Sequence, residues 1–402
     1  MTEPAAVLVA ARDEEERIGA TVAALREQFP GAEVVVADDG SRDGTAERAQ
    51  AAGAHVVRLP HRGKGQALTL AEREAPEGAL ILCDADLAGD LRPLAASSSD
   101  LAIAVFAERQ GGGFGIVKRT ARTLIRAGCG YHAREPLSGQ RALSSAARRA
   151  CFPLAAGFGC EARATVDAVR AGLAVEEVEL QLCHRATGRD ARAFAHRGRQ
   201  LVDLVLALGP TGVNHRGLRL PLVGWVTALR GGSVGFVAAA GLVDDLWSGP
   251  ERGFAAHLRS GRTTGVLKLV AIPAIALAVT RSVSGALLVA LSANALNQLD
   301  TGPGRALKAY LVAASLVPAP RGTAVLLLPY DLREMTMLGD AGSNALGAML
   351  GLSSVGTLGR TGRWLAIGSL AGLTLLGERR SLGALIERTP GLSHFDRLGR
   401  RP

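Results

Sequence analysis

The chain has 402 residues, enough for two domains, and carries 46 Lys+Arg against 37 Asp+Glu, a formal charge of +9 with a pI near 9.9. That balance raises nucleic acid as a partner. Only Lys64, Lys118, Lys268 and Lys308 are lysines, however, and aromatics are 4%, too little stacking surface for a base-binding groove, so nucleic acid is excluded. All five cysteines precede residue 184 without a CxxC pair and read as reduced thiols of a cytosolic domain, and Met1-Thr-Glu-Pro4 lacks the basic-then-apolar pattern of a signal peptide.

In chain order, Ala5 to Ala10, Val34 to Ala37, His55 to Leu59, Leu80 to Cys83 and Leu101 to Phe106 are short apolar runs that predict strands. Glu14 to Gln28, Gly44 to Ala52 and Gln66 to Glu74 lie between them with helical patterning. Near-continuous apolar strands separated by helices predict an α/β domain with a mostly parallel sheet covered on both faces. A further helix is expected over Glu161 to Ala171, followed by a strand over Val175 to Leu182.

Two of the apolar runs end in carboxylates. Val34 to Ala37 leads into Asp38-Asp39-Gly40-Ser41, and Leu80 to Cys83 leads into Asp84-Ala85-Asp86. Ligands of open α/β sheets bind outside the carboxyl ends of the strands, so two acidic strand ends point to a metal and a nucleotide.

From about Leu218 the polar helical faces disappear. Apolar stretches dominate at Leu220 to Leu242, Thr264 to Thr280, Val283 to Leu296, Ala306 to Val317, Ala324 to Leu328, Ala345 to Leu358 and Trp364 to Leu376. They recur with charges confined to short intervals, which predicts an all-α, multi-helix transmembrane domain. The arginine-rich intervals Arg185 to Arg199 and Arg252 to Arg262 would then lie on the cytoplasmic side. Several runs fall short of a span, and Leu220 to Leu242 carries Arg230 near its middle. The boundary is expected within residues 205 to 215, giving a cytosolic domain over 1–208 and a helical membrane domain over 209–402.

The first half resembles a family 2 glycosyltransferase of the GT-A fold, close in style to polyprenyl-phosphate sugar transferases and glucosyl-3-phosphoglycerate synthases. The likeness lies in Ala11-Arg-Asp-Glu-Glu-Glu-Arg-Ile18, Asp38-Asp-Gly-Ser-Arg-Asp-Gly-Thr45, Gly63-Lys-Gly-Gln-Ala67, Asp84-Ala-Asp86, Leu137-Ser-Gly-Gln-Arg141 and Gly157-Phe-Gly-Cys-Glu161. Asp13 stands where the family usually has asparagine. The resemblance implies transfer of a sugar from a nucleotide sugar, with Asp84 and Asp86 binding Mg or Mn to neutralise the leaving diphosphate. Asp13, Asp39 and Lys64 would contact the donor, with Asp38 a structural partner of its turn and Arg141 an acceptor-phosphate contact. Glu161 would act as general base if the acceptor is a hydroxyl, or else orient the acceptor or cap its helix. His184 and Arg185 would help close the site.

The second half resembles the polyprenyl-phosphate sugar-1-phosphate transferases, the superfamily of phospho-N-acetylmuramoyl-pentapeptide transferase. This likeness rests on Gly241-Leu-Val-Asp244-Asp245, Lys268, Asn294-Ala-Leu-Asn297-Gln-Leu-Asp300 and Met337-Leu-Gly-Asp340-Ala-Gly-Ser343. It implies a second site of Asp244, Asp245, Lys268, Asn297, Asp300 and Asp340. The region is short for that superfamily, and Pro303 replaces the second aspartate that normally follows Asp300. The expected activity is metal-dependent sugar transfer to a polyprenyl phosphate or related lipid at the cytoplasmic face of the cell membrane. A bifunctional enzyme and a non-catalytic scaffold that binds nucleotide or lipid-linked intermediates are the alternatives. Oligomeric state, the sugar and the nucleotide base are not legible.

Overall fold

The computed structural model describes residues 3–87, 89–106, 115–181, 191–247 and 264–400. His184, Arg185 and the Arg252 to Arg262 interval lie outside the described residues. Contacts divide the chain into two units, Met1–Gly209 with Gly217–Arg219, and Pro210–Arg216 with Leu220–Pro402.

The N-terminal unit is α/β around a seven-stranded sheet: β1 (Ala6–Ala11), β2 (Glu33–Asp38), β3 (His55–Arg58), β4 (Leu80–Asp84), β5 (Leu101–Phe106), β6 (Arg141–Leu143) and β7 (Val175–Leu180). The order is β3-β2-β1-β4-β6-β5-β7, parallel throughout except for β6, which runs antiparallel between β4 and β5. Alternation of side chains explains why the strands are apolar on both sides. Val7, Val9, Val34, Val36, Ile81 and Cys83 face Ile18, Val22 and Leu25 of helix Ile18–Gln28. Leu8, Val35, Ala37, Leu80 and Leu82 face Ala67, Leu68 and Ala71 of helix Lys64–Glu72. Full burial of each larger aliphatic contributes about 1.5–3 kcal/mol.

Register positions the site. Parallel pairing sets Ala11 opposite Asp38 and Ala10 opposite Asp84, so β2 and β4 deliver their terminal aspartates to the same carboxyl edge, on either side of β1. Strand β6 escapes the sequence reading because it is three residues long and opens on an arginine. Helices Ile116–Cys129 and Ser145–Cys151 were also not anticipated.

The described part of the C-terminal unit is helical, and its main helices are Gly232–Trp247, Thr264–Thr280, Val283–Leu299, Arg305–Leu316, Gly322–Leu332, Gly339–Thr357 and Arg360–Arg379. The expectation of a transmembrane domain is corrected here: no described helix is long and apolar enough to cross a membrane. The longest of the strongly apolar helices, Thr264–Thr280 and Val283–Leu299, have 17 residues, and at 1.5 Å per residue each extends about 26 Å, short of a ~30 Å hydrocarbon core. The longer ones are more polar. Gly339–Thr357 carries Asp340, Ser343 and Asn344, and Arg360–Arg379 carries Arg363 and Glu378. The stretch from Leu220 to Leu242 is not one helix either. A 3-10 turn over Gly224–Arg230 is separated from helix Gly232–Trp247 at Gly231 (φ 68°) and Gly232 (φ 57°), left-handed conformations that interrupt the helix directly after Arg230.

Candidate functional site

At the carboxyl edge of the sheet, Lys64 is the hub. Gly63 (φ 98°) turns the chain after β3 so that Lys64 opens helix Lys64–Glu72 with its side chain aimed at the end of β4. Its Nζ donates to Asp84 Oδ1 at 2.6 Å and lies 2.6 Å from Glu161 Oε1. Burial pulls its pKa down, but Asp84 and Glu161 more than offset that and hold it well above the ordinary lysine value.

Asp84 Oδ2 accepts from Gln140 Nε2 at 3.2 Å, and the chain at Gly139 passes so close that a Cβ there would stand 2.2 Å from the same oxygen. Asp86, two residues on, has no hydrogen-bond partner among the described residues. Glu161 is 8% exposed, with Oε1 against Lys64 and Oε2 accepting from Cys160 Sγ at 3.1 Å. Burial pushes the Cys160 thiol well up, and the Glu161 carboxylate adds to that, so the thiol stays protonated and donates.

The β1 and β2 ends form a second cluster on the same edge. Asp38 Oδ1 accepts from the Ser41 amide at 3.0 Å and from its hydroxyl, which closes the turn. Asp13, held at φ 54°, accepts from the Arg42 amide at 2.9 Å and donates its own amide to Ser41 Oγ. Asp39 is buried, and its carboxylate accepts from the amides of Arg62 (2.6 Å) and Gly63 (2.9 Å) and pairs with His61 Nδ1 at 2.8 Å. The loop that precedes Lys64 is thereby fastened to the end of β2.

Arg141 lines the same small cavity as Lys64 and Glu161, but its donors are turned to other partners. It is 0% exposed, and its guanidinium donates to Ser138 O (2.8 Å), Thr165 Oγ1 (2.9 Å) and Pro136 O (3.3 Å). Burial lowers its pKa against the opposing charge of Glu161. An acceptor could reach it only by opening the fold. A cleft of about 650 Å³ lies against Glu72, Arg73, Arg148 and Phe152, and none of the strand-end carboxylates lines it.

The expected second constellation converges within the C-terminal unit. Lys268 Nζ donates to Asp244 Oδ2 at 2.7 Å and also pairs with Asp340. Asn297 Nδ2 donates to Asp340 Oδ1 at 2.6 Å, and Asp245 accepts the amides of Asp340 (2.8 Å) and Ala341 (2.9 Å) at the start of helix Gly339–Thr357. Burial, with Asp331, Asp340 and Asp245 nearby, pushes the Asp300 pKa well above the usual carboxylate range. Burial raises Asp245 to about 6, with help from Asp340, and Asp331 to about 6.

Asp331 is the member that the sequence reading missed. Its signal was a carboxylate closing the apolar run Ala324 to Leu328 two residues after Pro329, and Oδ2 accepts from the Gly304 amide at 2.6 Å. Gln140 and His61 were equally overlooked, although each sits inside or beside a quoted motif. Among the described residues no three His, Cys, Asp or Glu are grouped so as to hold a metal ion by themselves.

Parts of the chain are similar to known proteins. Residues 6–94 match the family described as Glycosyl transferase family 2. Glycosyltransferase AglJ of Haloferax volcanii is 30% identical over 190 residues, which cover 44% of this chain and 62% of that protein, so the chain matches less than two thirds of its relative. Among solved structures, glucosyl-3-phosphoglycerate synthase from Mycobacterium tuberculosis in complex with phosphoglyceric acid is 26% identical, over 55% of this chain and 87% of that one, with a TM-score of 0.44. The same enzyme in complex with Mn2+, uridine-diphosphate and phosphoglyceric acid is also 26% identical, over 52% and 79%, with a TM-score of 0.42. The strand-end aspartates Asp38, Asp39, Asp84 and Asp86 all fall inside the span over which the chain matches a family 2 glycosyltransferase domain.

Proposed function

We propose that the chain transfers a sugar from a nucleotide sugar, with Mg or Mn at Asp84 and Asp86, to a polyprenyl phosphate or related lipid phosphate at the cytoplasmic face of a membrane. The observation that carries the donor half is the gathering of Lys64, Asp84 and Glu161 at one sheet edge, with Asp86 two residues beyond Asp84, in or beside the matched family 2 domain. The residues fit a divalent ion. Two hard-oxygen side chains stand two positions apart, one with no hydrogen-bond partner among the described residues, and the lack of a third acidic or histidine ligand there suits an ion that completes its shell with water and phosphate oxygens. When bound, such an ion neutralises charge on the leaving diphosphate.

The chain's own residues do the rest. Lys64 offers its ammonium to the diphosphate, Asp13 contacts the nucleoside, and Asp39, whose carboxylate is taken up by Arg62, Gly63 and His61, fixes the loop that carries Lys64. Bond formation joins an acceptor oxygen to the anomeric carbon while the bond from that carbon to the diphosphate oxygen breaks. Glu161 favours the phosphate class of acceptor, because both its oxygens are engaged by Lys64 and Cys160 and neither is free to take a hydroxyl proton. A phosphate monoester is ionised near neutral pH and needs no base. The lipid class is favoured by the apolar surface of the C-terminal unit, where Leu316, Leu229, Val283, Leu365, Phe236 and Leu326 are all exposed.

The test incubates the full chain with labelled nucleotide sugars and Mn2+, offering polyprenyl phosphate or the corresponding polyprenol. Label in the lipid extract with the phosphate alone, cut at least ~100-fold by Asp86→Ala, is expected. Equal use of the alcohol would remove the phosphate-acceptor reading, and full activity in a folded Asp86→Ala variant would remove the metal site. A second reading, sugar-1-phosphate transfer by the C-terminal unit, is favoured by the gathering of Asp244, Asp245, Lys268, Asn297, Asp300 and Asp340. Asp340→Asn should then abolish a sugar-phosphate lipid product and leave N-terminal transfer intact.

A further inference from the structure

We propose that Lys64 and a divalent cation compete for Asp84, so that arrival of the ion releases the ammonium from the strand end and frees it to turn toward the diphosphate. The inference rests on the metal-dependent reading above and adds to it a control on when Lys64 is available.

Four observations carry it. The Lys64 ammonium already sits 2.6 Å from Asp84 Oδ1, the carboxylate that would contribute to a metal shell, while Asp86 has no hydrogen-bond partner among the described residues. The other oxygen of Asp84 is held by Gln140 Nε2 at 3.2 Å and pressed against Gly139, where a Cβ would stand 2.2 Å away, so the carboxylate cannot rotate to offer a fresh face. Lys64 has a second anchor, Glu161 Oε1 at 2.6 Å, and therefore keeps a buried counter-charge after it leaves Asp84. Glu161 in turn is fixed by Cys160, so the ammonium can pivot about Glu161 without exposing an unpaired charge.

A hard cation binds carboxylate oxygen at about 2.0–2.5 Å, which puts it within a few ångströms of an ammonium on the same carboxylate. Like charges that close, in a partly dry site, repel strongly. The two are therefore alternative counter-charges for Asp84. Metal affinity in the free protein is set low by this contest, and Lys64 is a substrate-contacting residue whose release is coupled to the ion.

The test is Mn2+ binding to the full chain, read by loss of the free-ion electron paramagnetic resonance signal without any sugar donor. Lys64→Met should bind Mn2+ roughly tenfold more tightly than wild type, Lys64→Arg should return to the wild-type affinity, and Asp84→Asn in the Lys64→Met background should lose the gain. Lys64→Gln keeps two amide donors without the charge and serves if Lys64→Met does not fold. Equal or weaker Mn2+ binding by a folded neutral variant overturns the competition and leaves the metal-dependent reading standing. Failure of every variant to bind Mn2+, even with UDP present, overturns both.

Discussion

Replacing Lys268 by methionine removes the ammonium that pairs Asp244 with Asp340 while Asp245 and Asp300 stand close by. At 2.7 Å and an effective dielectric constant of 20, the pairing with Asp244 alone corresponds to about 6 kcal/mol of Coulomb energy, from which several kcal/mol must be subtracted for desolvating the lysine. The net loss expected is about 3–5 kcal/mol at pH 8, the range for breaking a buried pair from one side. That loss should shrink with acidification. Burial raises Asp245 from 3.8 to about 6 in the folded state, so the fold binds more protons than the unfolded chain between those values. The charged form therefore costs stability above that window, and the cost is relieved as pH falls through 6. Removing Lys268 lifts the carboxylates further, so the variant has more to regain than wild type.

Urea unfolding followed by tryptophan fluorescence reads this unit selectively, because the three tryptophans, Trp225, Trp247 and Trp364, all belong to it. A loss below about 1 kcal/mol at pH 8, or the same loss at pH 8 and pH 5.5, would refute the view that Lys268 is the counter-charge of the cluster.

Gly65→Ala puts a Cβ 1.9 Å from Ala155 O and 3.0 Å from Cys160 Cβ, so helix Lys64–Glu72 must move away from the segment that carries Glu161; a loss of about 3 kcal/mol in a chemical melt of the N-terminal unit, together with loss of transfer, is expected. Arg141→Met leaves three buried acceptors without their donor and should cost about 3–5 kcal/mol, and Arg141→Lys should rescue little because one ammonium cannot span the same fork; an unchanged melting point with a raised acceptor KM would instead make Arg141 an acceptor contact. Asp331→Asn mimics the protonated form of a carboxyl raised to about 6, and in urea melts at pH 8 and pH 5 it should flatten the rise in stability of the C-terminal unit that is expected of the wild type on acidification.

Strand positions were legible because parallel strands buried on both faces must be apolar throughout, and β1, β2, β4 and β5 leave uninterrupted runs in the sequence. Strand β6 left no such run. It is a strand only because β4 and β5 offer free edges on either side of Arg141-Ala142-Leu143, which is information about the fold rather than about those three residues. Helix lengths in the second half failed for a related reason. Apolar content announces helices, but where each one stops depends on local backbone, as at Gly231 and Gly232, which split the run Leu220 to Leu242 ahead of helix Gly232–Trp247.

The candidate sites divide along the same line. That Asp38, Asp39, Asp84 and Asp86 would stand at one edge follows from strand ends alone, since parallel neighbours in register share a carboxyl edge. Which charge answers which does not follow, because Lys64 meets Glu161 across 97 positions and Asp245 meets the Asp340 amide across 95. Arg141 shows the cost of reading such a partner from motif alone: an arginine after Ser-Gly-Gln suggests a phosphate contact, yet β6 draws it inward, where Pro136, Ser138 and Thr165 take its donors. Lys268 shows the converse. A lone lysine in an apolar helix would be expensive to bury unpaired, so its presence there already demanded carboxylates from elsewhere in the chain, and the two it meets are Asp244 and Asp340.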